Sequence, residues 1–198
     1  TVADNTALGF DGGDPGSSAL QNSIVARNGQ DCMGNVVSLG NNFFGDPSGC
    51  PGIVQSTDLV GDPGLGAFVY PGIAGQGRIP LLFSSRAIDS ASDAGCSRRD
   101  QLGAERVGVC DRGAVEFYPL INDSLSLDDA TTSLDRATQP NALAGVFTIS
   151  ATFTNASGEA IENPYFEVAT LSGDAVLLNA DGGSGGVGAR IQSTAGGD

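Results

Sequence analysis

The sequence predicts an all-β protein in which the stacked coils of a β-solenoid are followed by antiparallel strands. Three observations support this fold class. Thirty glycines, interspersed with Asp, Asn and Ser, indicate many turns and few helices. Apolar residues return about every twenty positions in the first half of the chain. A run of β-branched and aromatic residues stands in the second half, at Val146–Asn155.

The solenoid prediction depends on four apolar residues with nearly constant spacing. They are Leu20, Leu39, Leu59 and Ile79, separated by 19, 20 and 20 positions. Each is followed by a short polar or glycine-containing link and a further apolar group, which suits coils that bury inward side chains on the coil below. Asn22 and Asn42 would then either stack as an internal asparagine ladder or serve as ordinary turn residues.

The chain is strongly acidic, with a formal charge of −14, and its nine cations are all arginine. Nucleic-acid binding is therefore not expected, because phosphate neutralisation requires clustered cations. Arg98 and Arg99 are adjacent, but Asp100 follows them, and we interpret them as loop ion pairs. We find no apolar run long enough for a membrane span and no signal peptide. Because Thr1 lies inside the running repeat, we expect the sequence to be a mature fragment of a longer chain.

Four cysteines form two local couples, which indicates an oxidising, extracellular compartment. Cys32 is followed by Cys50, and Cys96 is followed by Cys110. Sequence alone does not define the connectivity, but we expect local pairing, with each disulfide closing a loop that has little core of its own. A zinc site is the alternative, which the lack of histidine and of any Cys-x-x-Cys spacing disfavours.

The stretch that organises the chain is Ser85–Glu116, which combines charged residues, glycines and the second cysteine couple. In order it contains Ala-Ile-Asp, Cys, Asp-Gln-x-Gly, Arg and Cys-Asp-x-Gly-Ala-x-Glu. This order resembles the end of secreted bacterial parallel β-helix proteins called choice-of-anchor Q domain proteins. The resemblance covers the chain from Leu20 to Glu116. Shorter matches come earlier, in the same order as in the family: Asn22–Val25, Asp31–Cys32, Ser38–Asn42 and Asp62–Gly66.

This resemblance implies a right-handed parallel β-helix whose last coils are closed by the Ser85–Glu116 stretch. The sequence departs from the family pattern in two places. Tyr70–Pro80 only loosely resembles the asparagine- and glycine-rich stretch that is usual in the family, a difference that would change a loop. Leu102 replaces the arginine of Asp-Gln-Arg-Gly, which removes one ion pair. The residues of the closing motif would be Asp89, Asp100, Gly103, Asp111, Gly113 and Glu116.

We expect three segments along the chain: terminal β-helix coils at 1–118, a polar connector at 119–140 and a partial β-sandwich module at 141–198. The pattern of the third segment resembles small immunoglobulin-like modules near the carboxyl end of secreted bacterial proteins. Because such a sandwich normally has about seven strands, this module is expected to be incomplete. The strands predicted within it are Val146–Asn155, Ala160–Ile161, Tyr165–Val168 and Ala175–Asn179.

Catalysis is not expected from this chain. The lack of histidine excludes Ser-His-Asp and Cys-His systems, and paired cysteines leave no thiolate. Glycoside hydrolysis needs only two carboxylates, and β-helix glycosidases and lyases use Asp, Arg and calcium. The Asp and Arg residues that could serve in this way lie in the closing loop, whereas a polysaccharide needs a groove along several coils. We therefore interpret them as ion pairs and turn caps. They are Asp89, Asp93, Arg99, Asp100 and Asp111.

Calcium is the cofactor that the composition favours, because Ca²⁺ binds carboxylate, amide and backbone oxygens. None of the candidate groups matches the EF-hand loop or the Gly-Gly-x-Gly-x-Asp repeat. The alternative is that each residue is a solvated turn aspartate. The candidates are Asp11 with Asp14, Asp58 with Asp62, and Asp123 with Asp128 and Asp129.

Together these features predict a non-enzymatic extracellular protein that is a structural or adhesive component of a cell surface, matrix or fibre. Its expected partners are a surface polysaccharide and further copies of itself, joined head to tail with the Val146–Val168 module contacting the next subunit. The alternative is a polysaccharide-degrading β-helix enzyme, a lyase or glycosidase, whose active groove lies upstream of this sequence.

Overall fold

The computed structural model describes residues 1–13, 18–135, 145–158, 160–161 and 164–192. Their regular structure is β-strand apart from three short 3₁₀ turns, so the prediction of an all-β protein is confirmed. In this part of the chain, no helix has the length and apolarity needed to cross a membrane. The 3₁₀ turns are Pro47–Gly49, Asp93–Gly95 and Asn122–Ser124. The strands are β1 (Val2–Ala3), β2 (Leu8–Asp11), β3 (Ser18–Leu20), β4 (Ile24–Ala26), β5 (Gln30–Met33), β6 (Val36–Ser38), β7 (Phe43–Phe44), β8 (Leu59–Val60), β9 (Leu125–Asp135), β10 (Val146–Asn155), β11 (Tyr165–Glu167) and β12 (Arg190–Gln192).

The chain folds into two compact units, of which the first is discontinuous in sequence. Unit one comprises Thr1–Tyr118 and Tyr165–Asp198, and unit two comprises Pro119–Pro164. The predicted segments 1–118, 119–140 and 141–198 do not coincide with these units, because the chain from Tyr165 onward packs with its first part.

Three parallel sheets occupy the first part of unit one. The largest has the strand order β1-β4-β7-β8, while β2 pairs with β5 and β3 with β6. Ile24 lies beside Phe43, and Phe43 beside Leu59, so the chain returns after 19 and then 16 residues. This return is close to the predicted twenty residues, but the predicted stacking position at Leu39 is wrong. Leu39 is 59 % exposed, because it follows β6 and its neighbour Ser38 is the inward residue.

Strands β4 and β7 are the inner strands of the four-stranded sheet and bury both of their faces. Ile24 and Phe43 pack in one apolar cluster, whereas the adjacent Val25 and Phe44 pack in another. All four side chains are fully buried. Burial on both faces accounts for the uninterrupted apolar residues of these strands, since a polar residue at either position would enter a core.

Both predicted disulfides are present in unit one. Cys32 pairs with Cys50 at a Cα–Cα distance of 5.8 Å, and Cys96 pairs with Cys110 at 6.5 Å. Cys32 and Cys50 belong to the apolar cluster of Val25, so the first disulfide lies in the core. The expectation that its loop would have little core was therefore wrong.

The antiparallel pair of β11 and β12 completes unit one. A small apolar cluster joins it to the first part of the chain, which explains why the unit is discontinuous. The buried members of this cluster are Ile73, Ala180 and Ala189. The predicted strand Tyr165–Val168 corresponds to β11, whereas the predicted strand Ala175–Asn179 forms a single bridge between Leu177 and Gly185.

Unit two is built on one long antiparallel hairpin of β9 and β10. Its register runs from Val146 opposite Asp135 to Asn155 opposite Leu125. Strand β10 has the predicted bounds, whereas β9 occupies much of the segment that was predicted to be a connector. Alternating leucine and polar residues in Leu125–Asp135 allow this strand to pair along its length.

Candidate functional site

The closing stretch forms one buried hydrogen-bond network that contains three of the predicted carboxylates. Asp100, Asp111 and Glu116 are each at most 8 % exposed. A buried carboxylate without donors would destabilise the fold strongly. The partners of these three side chains therefore decide what the stretch can do.

Asp111 connects the beginning of the stretch with the residue that follows it. Its Oδ1 accepts the N–H of Asp89 at 2.7 Å, and its Oδ2 accepts the N–H of Phe117. Asp89 thus contributes through its backbone, in a left-handed conformation with φ 49°, while its side chain is exposed. Both Asp111 oxygens are engaged by backbone donors.

Burial raises the pKa of Asp111 to about 6, and the neighbouring carboxylates of Glu116 and Asp89 also raise it. The two backbone donors lower this pKa but do not cancel the effect of burial. Asp111 therefore gains a proton in mildly acidic solution, so the stability of unit one depends on pH in this range.

Glu116 forms a buried ion pair with Arg106, with 2.7 Å between Oε2 and Nη1. Glu116 Oε2 also accepts the N–H of Asp111 at 3.2 Å, and Oε1 accepts the N–H of Val107 at 3.1 Å. Arg106 Nη2 donates to the carbonyl of Gly113 at 2.8 Å. These additional hydrogen bonds offset part of the cost of removing the ion pair from water.

Asp100 caps the turn made by the Asp-Gln-x-Gly sequence. Its Oδ1 accepts the N–H groups of Leu102 at 2.8 Å and Ala104 at 3.0 Å. Its Oδ2 accepts the N–H of Glu116 at 3.1 Å, which joins the turn to the end of the stretch. Gly103 has φ 82° and open space around its Cβ position, so glycine serves backbone conformation here.

Gly113 brings the closing stretch into direct contact with strand β4. Its φ is 99°, and a Cβ atom would lie 2.6 Å from Thr1 Oγ1 and 3.0 Å from Ile24 Cδ1. Its N–H donates to the carbonyl of Asn22 at 2.7 Å. Glycine is therefore required at this position both for conformation and for space.

Arg112 is the network residue that sequence reasoning missed. It is 4 % exposed, and burial lowers the pKa of its guanidinium. It donates to the carbonyls of Asn42 at 2.5 Å, Thr57 at 3.0 Å and Ser90 at 3.0 Å. One side chain thus ties three separate turns together. The only signal in the sequence is a cation at the unspecified position of Cys-Asp-x-Gly, in a chain with few cations.

The two asparagines considered for an internal ladder bond different groups. Asn42 is fully buried, donates to the carbonyl of Leu20 at 2.9 Å and accepts the N–H of Ser23 at 2.9 Å. Asn22 has φ 50° and exchanges two hydrogen bonds with Ser92. Asn42 is therefore an internal residue, whereas Asn22 is a turn residue.

An open polar pocket of about 300 Å³ lies beside the network. Its walls include Asn22, Ser97, Arg106 and Asp111. The carboxylate of Asp111 and the ion pair of Arg106 are already engaged within the protein. Among the described residues of this wall, no carboxylate has an oxygen left without a hydrogen bond.

The aspartates considered for calcium in unit one accept hydrogen bonds within turns. Asp58 accepts the N–H groups of Gln55 and Asn42, each at 2.8 Å, and the hydroxyl of Ser38 at 2.7 Å. The bond from Gln55 is that of a turn aspartate, which we considered as the alternative, whereas the bonds from Asn42 and Ser38 join Asp58 to an earlier segment. Asp11 and Asp62 act similarly, each accepting the N–H of the residue two positions later.

The remaining calcium candidates do not form a cluster either. Across the described ranges, no three His, Cys, Asp or Glu side chains lie close enough together to hold a metal ion. Asp14 lies outside the described residues. In unit two, Asp128 accepts the hydroxyl of Thr154, while Asp123 lies in a 3₁₀ turn and Asp129 in β9. A calcium site stays a prediction.

A second charged cluster of unit one, around Arg78, was also missed by sequence reasoning. Arg78 is 3 % exposed, and burial lowers its pKa. Glu167 Oε2 lies 2.7 Å from Arg78 Nη2 and 2.9 Å from Arg190 Nε. The Arg190 guanidinium lies 4.2 Å from the centre of the Tyr165 ring. Arg78 falls in the stretch that departs from the resembled family, and its ion-pair partner Glu167 is about ninety residues away in sequence, so no local pattern could reveal the cluster.

The resemblance to choice-of-anchor Q domain proteins stays a prediction. Comparisons with protein-family models, with curated proteins and with solved structures found no match to this chain.

Proposed function

We propose that this chain is a non-enzymatic structural or adhesive component of an extracellular surface, matrix or fibre. The observation that carries the proposal is the use of the closing-motif carboxylates. All six carboxylate oxygens of Asp100, Asp111 and Glu116 accept hydrogen bonds from within the protein. A general acid or nucleophile needs an oxygen that can reach a substrate. These oxygens instead hold backbone turns together.

We infer further that unit one is the end of a right-handed parallel β-helix and that the hairpin belongs to a partial β-sandwich module. Three parallel sheets support the first inference, and so does the central burial of β4 and β7 on both faces. The contact of Gly113 with Asn22 is consistent with a stretch that closes the coils. The two disulfides support an extracellular location.

Adhesion is supported by two exposed aromatic rings on unit one. Phe68 and Tyr70 are 60 % and 59 % exposed. Both rings lie near Gly77, whose Cβ position is 3.1 Å from Phe68 Cζ and 3.5 Å from Tyr70 Cδ2. Aromatic rings offer a flat apolar surface, and the Tyr70 hydroxyl adds a polar group. Since the chain carries a formal charge of −14, we propose a neutral rather than an acidic surface polysaccharide as the ligand.

A single panel of polysaccharides tests both parts of this function. We expect affinity electrophoresis to show retardation by a neutral polysaccharide, and we expect no release of reducing ends or unsaturated products, with or without calcium. Replacing both rings, Phe68→Ala with Tyr70→Ala, should weaken retardation about tenfold. The matched control is Leu82→Ala, which removes an aliphatic side chain that is 49 % exposed. Equal effects of the two changes would contradict the role of the rings.

One observation favours the alternative function, a polysaccharide-degrading enzyme. Asp111 has a pKa of about 6 and lines a pocket, and perturbed carboxylates in pockets are often catalytic. Turnover that disappears in Asp111→Asn, while the variant remains folded, would establish this alternative. We expect no such turnover, because both Asp111 oxygens are engaged by backbone donors.

For assembly of the fibre we propose head-to-tail contacts between copies of unit one. The outer strands of the four-stranded sheet are β1 and β8, and outer strands can pair with another chain. Negative-stain microscopy should then show filaments. A uniform population of single particles at every protein concentration would contradict this assembly.

A further inference from the structure

The hairpin of unit two has one apolar and one polar face. Because side chains alternate along a strand, every second residue of β10 lies on the same face. On the apolar face, Phe147 lies opposite Leu134, Ala151 opposite Ala130, and Phe153 opposite Leu127. Ile149 completes the apolar residues of β10 on this face, opposite Thr132. The residues of β10 on the other face, between Phe147 and Asn155, are Thr148, Ser150, Thr152 and Thr154.

A bulge in β9 keeps this apolar face continuous. Leu127 and Ala130 are three positions apart, so in an uninterrupted strand they would point to opposite faces. The register shifts from Asp129 opposite Thr152 to Leu127 opposite Phe153, which leaves Asp128 as the additional residue. The bulge therefore returns the leucines of the first part of β9 to the apolar face.

The large side chains of this face are exposed to solvent. Leu127 is 56 % exposed, Leu134 50 %, Phe147 60 % and Ile149 64 %. Together they expose roughly 400 Å² of apolar surface, which equals the largest apolar patch of a typical monomer, and such patches are often functional. Since a two-stranded hairpin is only marginally stable in water, covering this face would stabilise unit two.

The carboxylates of the hairpin lie away from the apolar face. Asp129 is opposite Thr152 and Asp135 is opposite Val146, both on the polar side. Asp128 accepts the hydroxyl of Thr154, which also lies on that side. Two chains that each carry a formal charge of −14 can therefore meet at their apolar faces without burying a carboxylate.

We propose that the apolar face of the hairpin packs against the same face of a second copy, in a two-fold dimer. In a two-fold arrangement centred between Ile149 and Ala151, the isoleucine of each copy lies over the alanine pair of the other. The large side chains of the two copies together bury roughly 800 Å², which is at the low end for a specific interface, so we expect a weak dimer with a dissociation constant of roughly 10–100 μM. This contact is made by unit two and is independent of the head-to-tail contact proposed for unit one. A two-fold contact closes on itself, whereas a head-to-tail contact continues.

Sedimentation velocity of the full chain, from about 1 to 200 μM, tests this proposal. We expect a dimer among the associated species, and we expect Ile149→Glu to weaken its formation at least ~100-fold, because the glutamate would place a charge in an apolar interface. The matched control is Thr148→Glu, which introduces a glutamate one residue earlier, on the polar face. It should alter the dissociation constant less than ~threefold. Ile149→Thr keeps a β-branched side chain that suits a strand, and it should weaken the dimer about tenfold. Circular dichroism of each variant checks that the hairpin is retained.

Three results would overturn the proposal: a monomer over the whole concentration range, a dimer that responds equally to Ile149→Glu and Thr148→Glu, or a series of larger species without a dimer. The last result would leave the head-to-tail contact of unit one as the contact responsible for association. Polysaccharide retardation is measured on the same variants, and Ile149→Glu should leave it unchanged. The failure of the dimer and the failure of the adhesive function are therefore distinguishable.

Discussion

Replacing Asp111 by asparagine should remove a pH dependence from the stability of unit one. The pKa of Asp111 is about 6 in the folded protein, because the carboxylate is buried, against an ordinary value of 3.8. The folded state therefore binds more protons than the unfolded state between about pH 4 and pH 6, so the free energy of unfolding falls as the pH rises through this window. The full effect is about 3 kcal/mol, of which about 2 kcal/mol is lost between pH 4 and pH 7.

Urea unfolding at several pH values, followed by tyrosine fluorescence, measures this effect. The chain has no tryptophan and three tyrosines, Tyr70, Tyr118 and Tyr165, all of which belong to unit one. The fluorescence signal therefore reports on the unit that contains Asp111. Subtracting the unfolding free energy of Asp111→Asn from that of the unchanged protein cancels the other titrating groups. We expect this difference to fall by about 2 kcal/mol from pH 4 to pH 7.

Asp46→Asn provides a control of opposite sign. The N–H of Ser48 bonds to the Asp46 carboxylate and lowers the pKa of Asp46, so the contribution of Asp46 to stability is lost as the pH falls. A difference for Asp111→Asn that stays constant, or that rises with pH, would refute the reasoning from burial.

Four further changes probe the packing of unit one, each measured as a shift of the urea midpoint at pH 7. Gly113→Ala should lower the free energy of unfolding by about 3 kcal/mol, because the added Cβ is strained in a left-handed backbone conformation and also makes a close contact. Gly103→Ala should cost only about 1 kcal/mol, because the surrounding space is open, and equal costs for the two glycines would contradict this view. Arg112→Met should lower the free energy of unfolding by about 3 kcal/mol, since three carbonyls each lose a donor. An unchanged midpoint would mean that water replaces the guanidinium. Removing the core disulfide by Cys32→Ala with Cys50→Ala should cost about 3 kcal/mol, and an unchanged midpoint would show that packing alone holds this loop.

Much of the local structure could be predicted from the sequence. The glycines and turn residues predicted an all-β chain, and the couples Cys32–Cys50 and Cys96–Cys110 pair as expected from their spacing. Strand β10 has the bounds that its β-branched and aromatic residues indicated. These features depend on residues that are close together in sequence, where propensity and loop closure act directly.

The closing motif was also selected from the sequence, and three of its four carboxylates, those of Asp100, Asp111 and Glu116, converge in one buried network. It did not reveal their partners, because the donors are backbone N–H groups, which every residue except proline carries and which no pattern marks. The role of Arg112 was likewise hardly visible in the sequence, since its three acceptors are backbone carbonyls of residues far away in the chain.

Long-range packing selected which residues stack and which segments pair. It placed Phe43 rather than Leu39 in the core, and it paired Leu125–Asp135 with β10. It also joined Arg78 to Glu167, across about ninety residues, through an ion pair that belongs to unit one. A strand needs a partner to satisfy its backbone, and a buried charge needs a counter-charge or hydrogen-bond partners, so both are selected by what the rest of the chain brings near them.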